Sequence, residues 1–149
     1  MFQIDPGKTR LVKLLTYGGT LPLLLCVMAT LMPVSAADPV RIALCYGAVI
    51  ASFLCGIHWA IYLLLGDRCR RNLLLYSNAI ALTAWLALLI APPCVALCLL
   101  GLCFLALLKL DNGLVVCDIY PAWYGTLRRN ATIIVMLTLF ALIAEVYYR

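Results

Sequence analysis

The sequence predicts an all-α fold, a polytopic integral membrane bundle of five transmembrane helices with the N-terminus inside and the C-terminus outside. Three observations predict it. Hydrophobic residues make up 66% of the chain and charged residues 11%, against roughly 45–50% and about 25% in soluble domains. The apolar residues fall into runs close to the ~20 residues that cross a bilayer. The cations sit in the short gaps between runs and fall almost entirely on alternate gaps, the pattern of cytoplasmic loops. A soluble fold of 149 residues would hide only roughly 60–70% of the surface its chain exposes, so lipid is the natural solvent for the surplus. A single membrane domain over residues 1–149 is expected.

Five segments are long and apolar enough: about 11–32, 40–65, 72–91, 94–110 and 127–148. Pro33 to Asp38 separates the first two, and Pro39 suits the first turn of the second. Gly66 to Arg71 separates the second and third. Pro92-Pro93 interrupts a very long apolar run and predicts a tight helical hairpin, because proline lacks the amide donor and clashes with the preceding turn. Residues 111–126 form the longest expected connection. The motif Tyr17-Gly18-Gly19-Thr20-Leu21-Pro22 predicts a kink in the first helix near Pro22.

With the N-terminus inside, the inner side holds Lys8, Arg10, Lys13, Arg68, Arg70, Arg71, Lys109, Arg128 and Arg129, and the outer side only Arg41 and Arg149. The asymmetry supports this orientation in a bacterial inner (cytoplasmic) membrane. Lys8 to Lys13, a long apolar stretch and Val34-Ser35-Ala36 resemble a signal peptide. The apolar stretch exceeds the 7–15 residues of such a core, so an uncleaved first helix is expected.

The composition also narrows chemistry. The net charge of +5 is spread over topology signals rather than gathered in one patch, so no nucleic acid is expected. There are eight cysteines and one histidine, without a C-x-x-C, so no metal site is expected. Most of the cysteines lie in apolar runs, where Cys acts as a small hydrophobe. Gly-rich phosphate loops, Ser-His-Asp arrangements and paired carboxylates at helical spacing are missing. Buried acids are not expected apart from the peripheral Glu145. Catalysis therefore has little to stand on.

The second helix carries the richest pattern. Ala48, Ser52, Gly56 and Ala60 form one ridge of small residues, and Gly47, Ala51 and Cys55 an adjacent one. Small ridges allow close helix packing in lipid, either within the bundle or across a homodimer face. His58 falls on the Gly47–Ala51 side, with Tyr62 one turn beyond, about 9 Å from the helix midpoint. An ionisable group at that depth is costly and is a functional candidate. Asn78, Thr16 and Tyr17 lie at similar depth. With His58 they predict a polar layer that stitches helices together or lines a cavity; Trp59 completes the candidate ligand set. Tyr120, Trp123 and Tyr124, followed by Arg128 and Arg129, predict an interfacial anchor against headgroups, with Asp118 as a partner for one of the arginines.

Three segments, Leu15-Thr-Tyr-Gly-Gly-Thr-Leu-Pro22, Tyr46-Gly-Ala-Val-Ile-Ala-Ser-Phe-Leu-Cys-Gly-Ile-His-Trp59 and Pro121-Ala-Trp-Tyr-Gly-Thr-Leu-Arg128, resemble in that order the transmembrane-protein-69-like family. That family includes a proteobacterial domain of unknown function and mitochondria-associated eukaryotic relatives. The resemblance covers nearly the whole chain. Here Cys55 stands where glycine is expected and Ala60 where glycine is common; both keep the residue small. The resemblance implies a five-helix membrane protein with no established activity, and singles out His58, Trp59, Trp123 and Arg128.

Three functions follow. The first is a non-enzymatic accessory, assembly or scaffold component of the inner membrane, packed against a membrane protein partner or a second copy. The second is a quinone- or lipid-binding site around His58. The third is a small-solute carrier or channel working as a dimer. No resident cofactor is required; quinone or haem are the candidates, and a haem with two histidine ligands would need a second chain. Accessibility labelling is expected to place Arg70 and Arg128 on the same side of the membrane; opposite sides would overturn the topology.

Overall fold

The computed structural model describes residues 6–32, 38–65 and 72–148. The described residues form helices only: α1 (Pro6–Gly18), α2 (Leu21–Thr30), α3 (Pro39–Leu65), α4 (Leu73–Ile90), α5 (Pro93–Val116) and α6 (Ala122–Tyr148). Five stretches are long and apolar enough to cross a membrane, with α1 and α2 counting as one. The expected loop at Gly66 to Arg71 and most of the gap before Asp38 lie outside the described residues.

Local chemistry sets the helix starts. Asp38 Oδ1 accepts the N–H groups of Val40 (3.0 Å) and Arg41 (3.3 Å) ahead of α3. Asn72 Oδ1 accepts the Leu75 N–H at 3.1 Å ahead of α4. Each satisfies donors that have no partner inside the helix. Ala91 is extended (φ −91°, ψ 142°), as the residue before a proline prefers, and α5 restarts at Pro93. The expected hairpin is present, with α4 and α5 packed on each other.

Two elements differ from expectation. The first span is broken rather than kinked. α1 ends at Gly18 and α2 begins at Leu21, because Pro22 cannot donate to the turn before it. Two groups outside the backbone ladder secure the break. Thr20 Oγ donates to the Tyr17 carbonyl at 2.7 Å, and the Tyr46 hydroxyl donates from α3 to the Gly19 carbonyl at 2.9 Å. The last connection is also far shorter than 111–126. α5 runs to Val116 and α6 starts at Ala122. Between them the Ile119 and Tyr120 N–H groups converge on the Leu114 carbonyl (3.0 and 3.1 Å). Asp118 takes a positive φ of 55°, a conformation Asp adopts more readily than most residues.

The core lies where α3, α4 and α5 meet, with α2 and α6 closing its sides. The two small-residue ridges of α3 part company. Gly47, Ala51 and Cys55 are buried, and a Cβ at Gly47 would come within 2.5 Å of Leu100 Cδ2. Ala48 is buried, but Ser52, Gly56 and Ala60 are exposed, and a Cβ at Gly56 would meet nothing within 4 Å. Gly47→Val is therefore expected to lower stability by about 1–3 kcal/mol through overpacking, read as a lower Tm in mild detergent. Gly56→Val should leave the Tm of the monomer unchanged.

Candidate functional site

Three ionisable side chains from three helices meet in the interior. His58 of α3 is 1% exposed, Asp111 of α5 2% and Arg128 of α6 7%. Each lies on the buried face of its helix. In α5 the buried positions Phe104, Leu107, Asp111 and Leu114 repeat at helical spacing, and in α6 Arg128 continues through Ala131, Thr132 and Val135. At 1.5 Å of rise per residue the three groups lie about 7–11 Å from the ends of their helices at 65, 116 and 122, which share one side of the bundle.

Asp111 is the hub. Arg128 Nε donates to its Oδ2 at 2.7 Å, a charge-assisted bond of the strong kind. His58 Nε2 lies 3.2 Å from its Oδ1, close enough for an ionic contact but without hydrogen-bond alignment. On the other side of the ring Nδ1 donates to the Leu54 carbonyl at 2.9 Å. That direction is fixed because a carbonyl only accepts. Among the described residues two buried side-chain atoms are left without a hydrogen-bond partner, His58 Nε2 and Arg128 Nη2. Buried polar atoms of this kind are rare and call for an explanation.

Tyr120 and Tyr124 flank the ion pair, their rings in edge contact at 4.6 Å between centroids. Burial pushes the Tyr120 phenol well above its usual range, and the neighbouring Tyr124 and Asp111 add to this while Arg128 opposes it. Tyr120 therefore stays a neutral hydroxyl beside the ion pair.

Arg128 also forms part of the wall of a pocket of about 180 Å³ between α1, α2, α3 and α6. The lining is mostly apolar (Leu23, Ile50, Phe53, Phe104, Val135), with polar groups from Thr16, Thr20, Tyr124 and Thr132. Exposed Leu15 and Phe53 frame its mouth. Its volume is below the roughly 300–1,000 Å³ of sites that enclose a drug-sized molecule, and suits a headgroup whose tail stays in lipid. The broken first span contributes Gly19 and Thr20 to this wall.

A family model described as "Protein of unknown function (DUF3429)" matches residues 8–144. The chain belongs to this family. No curated protein and no solved structure matches it. The DUF3429 match takes in all six helices at least in part, and with them His58, Asp111 and Arg128.

In this DUF3429 protein the sequence-selected residues separate. His58 and Arg128 come together, although they were expected in different roles, one as a site residue and the other as an interfacial cation. Arg129 stays exposed. Arg128 turns inward to Asp111 rather than to Asp118. Trp59 is 41% exposed on the outer face of α3. Tyr62 packs into a small apolar cluster with Leu73, Leu110 and Leu114. Tyr17 is exposed. Asn78 is exposed, and its Nδ2 bonds to Leu74 O of its own helix at 2.9 Å. Thr16 bonds to Val12 O at 2.8 Å. The polar layer across helices is thus built by Asp111 and Arg128 with His58, and Asn78 and Tyr17 stand outside it. Trp123 packs edge-on against Tyr124 at 5.8 Å, with Lys13 Nζ 6.0 Å from its ring centroid, an arrangement fit for a membrane interface.

Asp111 corrects the expectation that buried acids are missing. It closes the apolar run at Leu110 and reads as the first loop residue, yet α5 continues past it. The signal that could have found it is its phase: it continues the Phe104–Leu107 stripe. Among the described residues no group of His, Cys, Asp and Glu is placed to hold a metal ion. A haem iron at His58 would have to displace Asp111 from Nε2.

Removing one partner of a buried ion pair leaves the other charge unpaired and costs about 3–5 kcal/mol. Asp111→Ala should lower stability by this order, measured by reversible denaturation in mild detergent. The double variant Asp111→Leu/Arg128→Met should recover most of the loss. An unchanged Tm for Asp111→Ala would overturn the arrangement.

Proposed function

We propose that this multi-pass protein works in the bacterial inner membrane, N-terminus inside, as a non-enzymatic binding protein for one small amphiphile. The amphiphile's acceptor-bearing head, of the quinone or lipid type, sits against Arg128 and Tyr124. The observation that carries the reading is Arg128 itself. It lines the pocket, is buried, and keeps Nη2 without a partner after Nε is committed to Asp111. An ionisable group held at such depth marks a functional site by default. The distribution of cations supports the orientation, and the five apolar helices support a place within a membrane.

A second reading rests on the exposed ridge of Ser52, Gly56 and Ala60. Its small side chains suit close approach by another helix, so an accessory or scaffold role, with a membrane partner or a second copy on this face, would place that partner beside the pocket, since Ala60 lies two turns from the pocket residue Phe53. A dimeric carrier would use the same face.

The test is direct binding of two probes, a short-chain quinone and hexyl sulfonate, to the protein in phosphatidylcholine nanodiscs, with empty nanodiscs as the baseline. Saturable binding of at least one probe is expected. Ile50→Trp, which narrows the pocket without touching the ion pair, should weaken it tenfold or more. Binding of neither probe, or binding indifferent to Ile50→Trp, would overturn the reading.

A further inference from the structure

We infer that the amphiphile is an anionic glycerophospholipid, held with its phosphate at Lys13 beside Trp123 and an ester carbonyl on Nη2 of Arg128. The inference rests on the pocket being a ligand site, and adds the chemical class of the ligand and a contact at the pocket's rim.

The helices set two levels of positive charge. α1 and α6 start on the same side of the bundle, since Lys13 Nζ lies 6.0 Å from the Trp123 ring centroid. They run inward together, so that Thr16 and Tyr124 line the near end of the pocket and Leu23 and Val135 its far end. Lys13 comes three residues before Thr16, on the same face of α1 and one turn nearer the water. It is exposed, over an aromatic ring of the kind that gathers at headgroups. Arg128 follows Trp123 by five residues, about 7.5 Å deeper along α6. The polar zone between water and hydrocarbon is about 5–8 Å thick in each leaflet. Lys13 therefore falls at the level of lipid phosphates, and Arg128 at the inner edge of the zone, where ester carbonyls lie.

The pocket wall asks for an acceptor at the deeper level. The hydroxyls of Thr16 and Thr20 already donate to the Val12 and Tyr17 carbonyls, whereas Arg128 Nη2 is a buried donor without a partner. An ester carbonyl, which only accepts, suits it. A glycerophospholipid carries phosphate and ester carbonyl in this order from the water inward, a few bonds apart. Its chains leave for the bilayer between Leu15 and Phe53, with apolar Leu23 and Ile50 along their first methylenes. A quinone would satisfy Arg128 but bring no charge to Lys13. Lys8 and Arg10 add two cations within about a turn and a half of Lys13, and α1 holds no acid. A headgroup of net negative charge is therefore preferred to a zwitterion.

The test adds lipids with identical acyl chains to the protein in a nonionic detergent and counts bound lipid by native mass spectrometry. Phosphatidylglycerol should form a single saturable adduct, about fivefold tighter or more than diacylglycerol, which lacks the phosphate, or phosphatidylcholine, which brings a further cation. One basic residue at a lipid surface is worth about fivefold in affinity. Lys13→Gln should therefore weaken phosphatidylglycerol by about that factor and leave diacylglycerol unchanged, while Lys13→Arg should keep the preference. Lys13 is exposed, so neither variant disturbs the packing of the bundle. Ile50→Trp should weaken every adduct. Diacylglycerol or a short-chain quinone binding as tightly as phosphatidylglycerol, or a preference that survives Lys13→Gln, would overturn this inference; the amphiphile site would stand as long as Ile50→Trp still weakened the adducts. Binding of no lipid and no quinone, or adducts indifferent to Ile50→Trp, would remove both.

Discussion

The structure turns on the burial of Arg128 against Asp111. Two opposite charges inside a bilayer are tolerable only while they touch, since each alone carries a desolvation penalty of several kcal/mol. Their contact at 2.7 Å therefore constrains how α5 and α6 are connected. α5 must continue as a helix past Leu110, the end of its apolar run, to carry Asp111 inward, and α6 must begin early enough to bring Arg128 to the same level. The turn at 117–121 is what remains. It is tight because both helices are extended into it, and its amides bond back onto Leu114.

His58 follows from the same constraint at the third helix. The inner ridge of α3 is small at Gly47, Ala51 and Cys55, which lets α5 approach closely enough for His58 Nε2 to reach Asp111. The break in the first span serves the other side. The break after Gly18 presents the Gly19 carbonyl to the Tyr46 hydroxyl and places Gly19 and Thr20 in the pocket wall. Motifs at three separated places in the sequence thus bear on one small region: the Gly-Gly-Thr-Leu-Pro break, the His58 helix and the start of α6.

Much of the fold is legible in the sequence. Five spans, the proline hairpin, the Asn72 and Pro39 helix starts and the central place of α3 follow from hydropathy, proline chemistry and small-residue spacing, which are local properties. The site was half legible. His58 stands out because an ionisable residue inside an apolar run is conspicuous. Asp111 and Arg128 do not, because each lies at the edge of its run, where charge is ordinarily solvated and its phase on the helix is easily ignored. Asn78 and Tyr17 show the opposite failing. Depth alone suggested a shared layer with His58, but their positions around their helices turn them outward. Depth along a span is read from sequence with little error; direction around it depends on packing partners that are distant in the chain.

An ion cluster is an uneconomical way to hold three helices together. Apolar side chains of similar volume usually do so as well or better, since they carry no desolvation penalty, and in lipid the small ridges of α3 already provide close packing. A purely structural cluster would also be expected to satisfy its hydrogen bonds, as buried networks generally do. This one leaves Nε2 of His58 misaligned and Nη2 of Arg128 unpartnered, and it does so beside a pocket with Arg128 in its wall. A cluster that leaves two polar atoms open beside a pocket is better explained by what it receives than by what it joins.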